Sequence, residues 1–544
     1  MTERPPVLSL RGLSVRFLLP GGRRIAAVTD AQFDVAPGEC LALIGESGCG
    51  KSVLASALLG LLPANARTAG HARLIDLDLL TAGERVLART VRGRRIGLIP
   101  QSPAAHLTPV RTIRSQLEET VGRLTGVRGR AALRTAAERA AARAEFPTDH
   151  LDRHPHELSG GLAQRAATAL ALIGEAPLLL ADEPTTGLDR DLVDRTVDEL
   201  RRHVDAGRAL LMITHDLAAA RRIADRVAVM YAGRIVELTA ADTFFGTPGP
   251  RHPYSRGLLE ALPDRSFTPI PGQPPNWGTS PTAAPSPPAA TEPRTPAPPC
   301  RPSPARSPAT TRCRPPPGRK SVLELRAVTA GYDRRAPVVR DASLTVAPGE
   351  AVGLLGPSGC GKSTLARVAA LLHRPDSGTV VLDGTPVHRY RHRAPRARRT
   401  AVGVVFQQPR LSADPRLRLT DLIAEPLRAT GRRADVPGRV AELADTVGLT
   451  ADLLTRRPHE VSDGQLQRAC LARALVLRPR WLICDEMTAM LDASTTAALV
   501  RVVEDYRTAT GAGLLSVGHD RTLLTRWCDR TLHWDTVATA ATPA

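Results

Sequence analysis

The feature that most constrains the fold of this 544-residue chain is a set of five motifs that occurs twice in the same order. The second copy follows the first at an offset of 303 residues between Asp182 and Asp485 and of 311 between Lys51 and Lys362. The paired motifs are GESGCGKS and GPSGCGKS, QSP and QQP, HELSGGLAQR and HEVSDGQLQR, LLLADEPTTGLD and LICDEMTAMLD, and ITHD and VGHD. Five motifs at a nearly constant offset indicate a tandem duplication.

A proline-rich segment separates the two copies. Residues 266–320 hold 18 of the 47 prolines, which favour an extended backbone and remove amide donors. We therefore expect three parts: a first domain over 1–265, a disordered proline-rich linker over 266–320, and a second domain over 321–544.

Apolar runs that end at a glycine loop or at an acidic pair predict buried parallel strands. They are Cys40–Ile44 and Leu178–Ala181 in the first copy, and Ala351–Leu355 and Trp481–Cys484 in the second. Segments rich in Ala, Leu, Arg and Glu, at 112–147 and 419–448, predict a helical insertion in each copy. Each half is therefore expected to be an α/β domain with a helical insertion.

Both copies contain the phosphate-loop pattern GxxxxGK[ST], in which glycine amides and a helix N-terminus surround phosphate. Only three of the 73 Lys and Arg residues are lysines, and two of these are Lys51 and Lys362. The hydroxyls of Ser52 and Ser363 are candidate Mg²⁺ ligands. The loop residues expected to bind ATP are Gly45, Ser47, Gly48, Cys49, Gly50, Lys51, Ser52, Gly356, Ser358, Gly359, Cys360, Gly361, Lys362, Ser363 and Thr364.

An acidic pair ends one apolar strand of each copy. The first acid, Asp182 or Asp485, is placed to orient Mg²⁺, and the second, Glu183 or Glu486, is placed to polarise the attacking water. A histidine follows another apolar strand in each copy. A lone histidine there is usually structural, but its recurrence at the matched offset predicts a contact with the γ-phosphate. These histidines are His215 and His519.

These residues resemble two ATP-binding cassette (ABC) nucleotide-binding domains fused head to tail. LSGGLAQR is the most specific part, because ordinary P-loop enzymes lack it. The resemblance implies that each cassette has a RecA-like P-loop core, an antiparallel β subdomain and a helical subdomain. It also implies that the signature motif of one cassette faces the γ-phosphate of ATP bound to the other cassette. The signature residues are Ser159, Gly160, Gly161, Ser462 and Gly464.

The same resemblance assigns roles to residues outside the loops. Gln101 and Gln407 would contact Mg²⁺ and sense the membrane partner. Phe17 and Tyr332 occupy positions where an aromatic ring stacks on adenine, although Phe17 also reads as a core residue of a strand. The D-loop acids implied by the resemblance are Asp189 and Asp492.

The segment HPYSRGLLEALP at 252–263 is similar to the dipeptide, oligopeptide and nickel importer branch. That similarity implies an ATPase that uses ATP and Mg²⁺ to drive two permease subunits, with an extracytoplasmic binding protein, at the cytoplasmic face of the plasma membrane. We expect no transmembrane segment and no signal peptide. The substrate would be a di- or oligopeptide, nickel or a metal chelate. Some members bind an iron–sulfur cluster, but Cys300 and Cys313 cannot supply four ligands, so none is expected.

The second cassette departs from the family pattern at two positions. Asp463 replaces a signature glycine, and Met487 replaces the proline after the acidic pair. A carboxylate near a triphosphate repels it unless the side chain points away. Since Asp463 would face ATP held by Lys51, we expect the two ATP sites to be unequal.

Two other functions are alternatives to the importer. A tandem ABC ATPase that acts on ribosomes also joins two cassettes, but the proline-dense segment and HPYSRGLL disfavour it. A DNA-repair ABC ATPase needs a long coiled coil, for which there is no room. The net charge of +19 suits an arginine-rich solvated surface, and with only 3% aromatic residues we expect no nucleic-acid partner.

Overall fold

The structure is a computed structural model that describes residues 5–101, 103–186, 188, 190–272, 322–333, 336–357, 359–489 and 491–538. Within these ranges, no helix has the length and apolar character needed to cross a bilayer. The predicted positions that lie outside the described residues are Asp189, Cys300, Cys313, Ser358 and the linker from 273 to 320.

The described part of the first cassette contains two sheets. Its strands are β1 (Leu8–Leu18), β2 (Arg24–Val35), β3 (Cys40–Ile44), β4 (Ala66–Leu74), β5 (Leu77–Asp78), β6 (Ile96–Ile99), β7 (Leu178–Asp182), β8 (Ala209–Thr214), β9 (Arg226–Tyr231) and β10 (Arg234–Ala240). One sheet is antiparallel, with the order β2-β1-β4-β5. The other has the order β10-β9-β3-β8-β7-β6 and is parallel except for β10.

Helices cover the parallel sheet and form the insertion. They are α1 (Lys51–Leu58), α2 (Glu84–Val86), α3 (Pro103–His106), α4 (Ile113–Thr125), α5 (Arg130–Arg143), α6 (Gly160–Leu172), α7 (Arg190–Asp205), α8 (Leu217–Ile223), α9 (Ala241–Phe245) and α10 (Pro253–Glu260). The insertion begins where the Thr112 side chain accepts a hydrogen bond from the Ser115 N–H, and α4 ends at Gly126, which has φ 74°. The predicted helical insertion at 112–147 is therefore present as α4 and α5.

The second cassette repeats this plan. Its strands are β11 (Leu323–Ala330), β12 (Val339–Val346), β13 (Ala351–Leu355), β14 (Ser377–Leu382), β15 (Thr385–Pro386), β16 (Val402–Val405), β17 (Trp481–Asp485), β18 (Gly513–Gly518) and β19 (Arg530–His533). The antiparallel sheet has the order β12-β11-β14-β15, and the parallel sheet has the order β16-β17-β18-β13-β19. The helices are α11 (Lys362–Ala369), α12 (Arg396–Arg399), α13 (Pro409–Ser412), α14 (Leu419–Ala429), α15 (Val436–Thr446), α16 (Ala451–Leu454), α17 (Asp463–Leu475), α18 (Ala493–Thr510), α19 (Arg521–Trp527) and α20 (Trp534–Val537).

The order of the parallel strands places the predicted motifs at one edge of each sheet. In the first cassette β8 lies between β3 and β7, and in the second β18 lies between β13 and β17. The carboxyl ends of parallel strands meet at the same edge, so the glycine loop, the acidic pair and the histidine converge there. Every residue of β3 and of β13 is buried, which explains why both strands read as continuous apolar runs.

The predicted α/β fold with two P-loop cassettes is confirmed. The domain boundaries at 265 and 320 stay a prediction. The segment 266–272 contacts both cassettes. The Phe267 side chain packs on the core of the second, where the Arg526 guanidinium donates a hydrogen bond to the Ser266 carbonyl oxygen at 3.4 Å, and the Ile270 side chain packs on a core cluster of the first.

Candidate nucleotide sites

The glycine before each phosphate-loop lysine has a backbone conformation that other residues rarely adopt. Gly50 has φ 112° and Gly361 has φ 113°. A Cβ atom on Gly50 would lie 2.3 Å from the Ala27 carbonyl oxygen, and one on Gly361 would lie 3.1 Å from the Val338 carbonyl oxygen. The loop therefore turns into the helix N-terminus only because glycine occupies this position.

Both lysine ammonium groups are buried in the hollow of their own loops. The Lys51 Nζ donates to the carbonyl oxygens of Gly45 at 2.7 Å and Glu46 at 3.1 Å. The Lys362 Nζ donates to those of Gly356 at 2.8 Å and Pro357 at 2.7 Å. Each positive charge is thus held where the glycine loop would surround a phosphate.

The first acid of each pair lies beside the loop serine. The Ser52 hydroxyl donates to an Asp182 carboxylate oxygen at 3.4 Å, and the Ser363 hydroxyl donates to Asp485 at 2.9 Å. Burial, and next the charge of Glu183, raise the pKa of Asp182 to about 6. Burial also raises the pKa of Asp485. A carboxylate whose pKa is raised by burial is stabilised by a nearby cation, so these oxygen pairs fit a Mg²⁺ ion, which binds one or two carboxylates and completes its shell with phosphate and water.

Glu183 contacts the predicted histidine of its cassette. The Glu183 carboxylate lies 2.7 Å from the His215 Nδ1 and accepts a hydrogen bond from the His215 backbone N–H at 3.3 Å. Burial opposes ionisation of both side chains, but their mutual attraction prevails. It lowers the pKa of Glu183 and raises that of His215. The arrangement keeps Glu183 ionised, as a base that accepts a proton from water must be.

Glu486 has a different set of neighbours. Its carboxylate accepts a hydrogen bond from the Gln407 side-chain amide at 2.7 Å. The His519 Nδ1 lies 3.5 Å from the same carboxylate, and the Lys362 Nζ lies 3.9 Å from it. Burial opposes ionisation, but the neighbouring His519 and Lys362 lower the pKa of Glu486 overall.

Both glutamates have a left-handed backbone, with φ 51° at Glu183 and φ 46° at Glu486. This conformation is uncommon for a residue with a side chain, and it costs about 1 kcal/mol or more. The strain recurs at the same position of both cassettes. No residue pattern in the sequence predicts it.

The signature serines cap the helices that they precede. The Ser159 hydroxyl accepts from the Leu162 N–H at 3.4 Å at the start of α6, and the Ser462 hydroxyl accepts from the Gln465 N–H at 3.3 Å at the start of α17. The remaining amides at each helix N-terminus can bind an anion. Asp463 is the first residue of α17, and its carboxylate lies 2.6 Å from the Arg410 Nε.

Residues of the second cassette contact the phosphate loop of the first. A carboxylate oxygen of Asp492 accepts from the Ser47 N–H at 3.5 Å. Burial, and next the charge of Asp492, raise the pKa of Glu46 to about 7, while a hydrogen bond with Ser494 and the charge of Arg468 oppose this rise. Because Arg468 belongs to α17, the signature helix of the second cassette lies close enough to the loop that carries Lys51 for its charge to act on Glu46.

The segment after the first cassette joins the same contact. The Tyr254 hydroxyl accepts from the Glu46 N–H at 2.9 Å, and the Ile270 N–H donates to the Ser494 hydroxyl at 3.2 Å. Sequence reasoning did not predict a role for Tyr254 or Glu46. Although Tyr254 lies in the HPYSRGLL motif, nothing local to that motif indicates contact with a loop about 200 residues away.

The two candidate adenine-stacking residues differ in environment. Phe17 lies in β1 and is half-buried against the core of the first cassette. Tyr332 is 66% exposed, and its ring centroid lies 5.3 Å from that of His373. Gln101, the counterpart of Gln407, is exposed. The roles of these residues stay predictions.

The model of the ABC transporter family matches residues 28–186 and 339–489. These ranges contain the glycine loops, the signature motifs and the acidic pairs of both cassettes. The chain belongs to the ABC transporter family. The family assignment confirms the predicted ATP-binding cassettes and the predicted class of enzyme, an ATPase.

Several relatives match nearly the whole ABC protein. The oligopeptide transport ATP-binding protein OppD of Mycobacterium tuberculosis is 36% identical, over 95% of this chain and 91% of that protein. The glutathione import ATP-binding protein GsiA of Pectobacterium atrosepticum is 35% identical, over 97% and 84%. The peptidoglycan transport ATP-binding protein YejF of Agrobacterium fabrum is 35% identical, over 95% and 89%. The tandem arrangement is therefore shared along the full chain.

A solved structure also aligns with nearly the whole length of this ABC protein. The archaeal ribosome recycling factor aABCE1, in complex with the ribosomal stalk protein aP1, gives a TM-score of 0.59 at 20% identity, over 96% of this chain and 87% of that one. At this identity the match shows the fold alone.

Proposed function

We propose that this chain is the ATP-hydrolysing subunit of an importer for short peptides or molecules that contain them. The observation that carries the proposal is the similarity along the whole tandem chain to OppD, which is named for oligopeptide transport. GsiA and YejF are named for glutathione and peptidoglycan, which also contain linked amino acids. These names favour a peptide over nickel or a metal chelate.

The sites support a shared mechanism of hydrolysis. Glu183 and Glu486 each accept a proton from the attacking water, and the neighbouring His215 and His519 hold the carboxylates ionised and oriented. Lys51 and Lys362 stabilise the charge of the phosphates. A bound Mg²⁺ would supply positive charge to the triphosphate. The residues that would hold it are Ser52, Gln101, Asp182, Ser363, Gln407 and Asp485.

ATP would bind between the cassettes. The contact of Asp492 with Ser47 and the approach of Arg468 to Glu46 support a site built from the phosphate loop of the first cassette and the signature helix of the second. We infer a matching site between Lys362 and the signature residues Ser159, Gly160 and Gly161. ATP would hold the cassettes together, and hydrolysis would release them.

Two exposed apolar side chains are candidates for contact with the permeases. Val110 is 81% exposed and Leu411 is 84% exposed. Each lies between the predicted partner-sensing glutamine and the first long helix of the insertion, at α4 or α14. We infer that each contacts an apolar cytoplasmic segment of one permease subunit, which would place the chain on the cytoplasmic face of the plasma membrane as a peripheral protein. An extracytoplasmic binding protein would deliver the peptide.

The test uses the chain reconstituted in liposomes with its permease subunits and binding protein. We expect trialanine, pentaalanine or reduced glutathione to stimulate ATP hydrolysis. Val110→Asp with Leu411→Asp should abolish this stimulation and leave basal hydrolysis within about twofold, because a charge at an apolar contact costs desolvation without touching the ATP site. Ile75→Asp is the matched control, at an apolar side chain that is 51% exposed in the turn between β4 and β5. Hydrolysis that no peptide stimulates would contradict the peptide assignment.

A further inference from the structure

Two residues of the second cassette differ from their counterparts in the first and contact each other. Asp463 stands where the first cassette has Gly160, and Arg410 stands where it has Ala104. The Arg410 Nε lies 2.6 Å from a carboxylate oxygen of Asp463. A new negative charge and a new positive charge thus occur together, 53 positions apart in the sequence and in direct contact in the fold.

Arg410 is fixed by more than this ion pair. Its two terminal nitrogens donate to the carbonyl oxygens of Pro458 at 2.9 Å and Val461 at 3.0 Å, both in the loop that leads to α17. Arg410 itself lies in α13, three residues after Gln407. The guanidinium therefore ties the segment that follows the glutamine to the start of the signature helix.

The position of Asp463 makes its charge important. The N-terminus of α17 is an anion-binding position, and Arg468 of that helix acts on Glu46 in the loop that carries Lys51. A lone carboxylate at this N-terminus would repel a triphosphate held by Lys51. With Arg410 in contact, the net charge of the pair is zero, and the carboxylate is drawn toward α13.

We propose that Arg410 is a positioning residue that neutralises Asp463 and turns it from the triphosphate, so that the second signature helix can close on ATP at the Lys51 site. This inference rests on the proposed function, in which ATP binds between the cassettes. It adds a residue pair peculiar to one of the two sites. Through this pair, a movement of the segment that follows Gln407 would also move α17.

The experiment is a four-member cycle of the full chain: the parental protein, Arg410→Ala, Asp463→Gly and the double variant, which restores the residue types of the first cassette. The Michaelis constant for ATP and the turnover rate are measured at about 50 mM and about 500 mM salt, across which a charge effect is progressively screened. The matched control is Arg416→Ala, because Arg416 forms an exposed ion pair with Asp414 at 2.8 Å in the same segment. Thermal melting of each variant checks folding.

We expect Arg410→Ala to raise the Michaelis constant for ATP about tenfold at low salt, which corresponds to about 1.4 kcal/mol, and much less at high salt. The double variant should return to within about threefold of the parental value, since the repelling carboxylate has gone. Arg410→Lys, which keeps the positive charge, should raise the Michaelis constant less than Arg410→Ala does. The Arg416→Ala control should match the parental protein.

Two results would overturn the inference. One is that Arg410→Ala raises the Michaelis constant for ATP equally in the parental chain and in the Asp463→Gly variant. Arg410 would then have only a structural role. The other is that the rise in the Michaelis constant is the same at low and at high salt. If the parental chain instead hydrolyses no ATP, the proposed function itself fails, so the two failures are distinguishable.

Discussion

The Lys51 site and the Lys362 site carry the same motifs but connect them differently. In the Lys51 site, the base candidate Glu183 lies 2.7 Å from the Nδ1 of His215. In the Lys362 site, Glu486 accepts a hydrogen bond from Gln407 at 2.7 Å, and the corresponding histidine is 3.5 Å away. A duplicated motif therefore preserves the type of reactive group while the contacts around it diverge.

The two glutamates are positioned by different neighbouring side chains. Glu183 is held mainly by the histidine at the end of β8. Glu486 is held by a glutamine that begins the segment proposed to contact a permease. The Lys362 site is thus linked directly to that segment through Gln407, whereas the Lys51 site has the Arg410–Asp463 pair on its facing signature helix.

Substituting one candidate base at a time tests most directly whether the two ATP sites contribute unequally to hydrolysis. Even with its charge neutralised by Arg410, Asp463 puts a larger side chain than glycine on the signature helix that faces the Lys51 site, so we expect that site to be the weaker one. Glu486→Gln should then lower turnover by more than about twofold, and Glu183→Gln by less than about twofold, at saturating ATP. Equal losses in steady-state hydrolysis would show that the sites are equivalent.

The glutamines provide the next test. Gln407 donates to an ionised carboxylate, and such a hydrogen bond contributes about 1.5 to 3 kcal/mol. Gln407→Ala should therefore lower hydrolysis at the Lys362 site about tenfold, and Gln101→Ala, its matched control in the other cassette, should lower hydrolysis at the Lys51 site by less. Turnover rates that fall equally would mean that the Gln407–Glu486 contact does not matter during hydrolysis.

A smaller effect should appear as a function of pH at the contact between the cassettes. The pKa of Glu46, raised to about 7 from an ordinary value of 4.5, means that the protonated form is favoured in the folded protein. Its contribution to stability is present in full below pH 4.5 and is lost as the pH rises through about 7. The groups that face Glu46 are Cys49, Lys51, Tyr231, Tyr254, Arg468 and Asp492.

Glu46→Gln should remove this part of the pH dependence. Between pH 5 and pH 8, the melting temperature of the parental protein should fall by about 2 °C more than that of the variant. Pro357 occupies the matched position of the second cassette, so that loop has no such group. Melting curves that change in parallel would contradict the assignment.

The smallest effect is expected from the segment between the cassettes. At about 3.1 Å per residue, an extended proline-rich chain of 55 residues reaches roughly 170 Å, so its reach does not limit pairing of the cassettes. Replacing 279–317 with a Gly/Ser segment of equal length should keep ATP hydrolysis within about twofold. Complete loss of hydrolysis with both cassettes still folded would reveal a site within the segment.

The features that could be predicted from the sequence are those that depend on residues close together in the chain. The glycine loops, the apolar strands before them and the capping serines Ser159 and Ser462 were all predictable, because the backbone at those places permits few other residues. The order of parallel strands then brings the motifs to one edge, as their apolar runs indicated. These residues account for the fold class and the general position of both sites.

Contacts between distant segments were not predictable from the sequence. Asp463 was expected to repel ATP unless it pointed away, and only the fold places Arg410 beside it. Tyr254 likewise reaches Glu46 through packing of α10 beneath the loop, and α10 contacts α18 of the other cassette. Glu183 and Glu486 have a left-handed backbone, and each N–H donates to a carbonyl oxygen of a neighbouring strand, Ile213 at 2.8 Å or Val517 at 2.9 Å, which no local sequence pattern indicates.

The central claim is that Glu183 and Glu486 activate water for ATP held by Lys51 and Lys362. The most direct measurement compares ATP binding with ATP hydrolysis in Glu183→Gln with Glu486→Gln, using Lys51→Ala with Lys362→Ala as the contrasting variant. The account predicts that the glutamine variant retains ATP but hydrolyses it at least about 100-fold more slowly, whereas the alanine variant fails to bind ATP. Hydrolysis at the parental rate in the glutamine variant would contradict it.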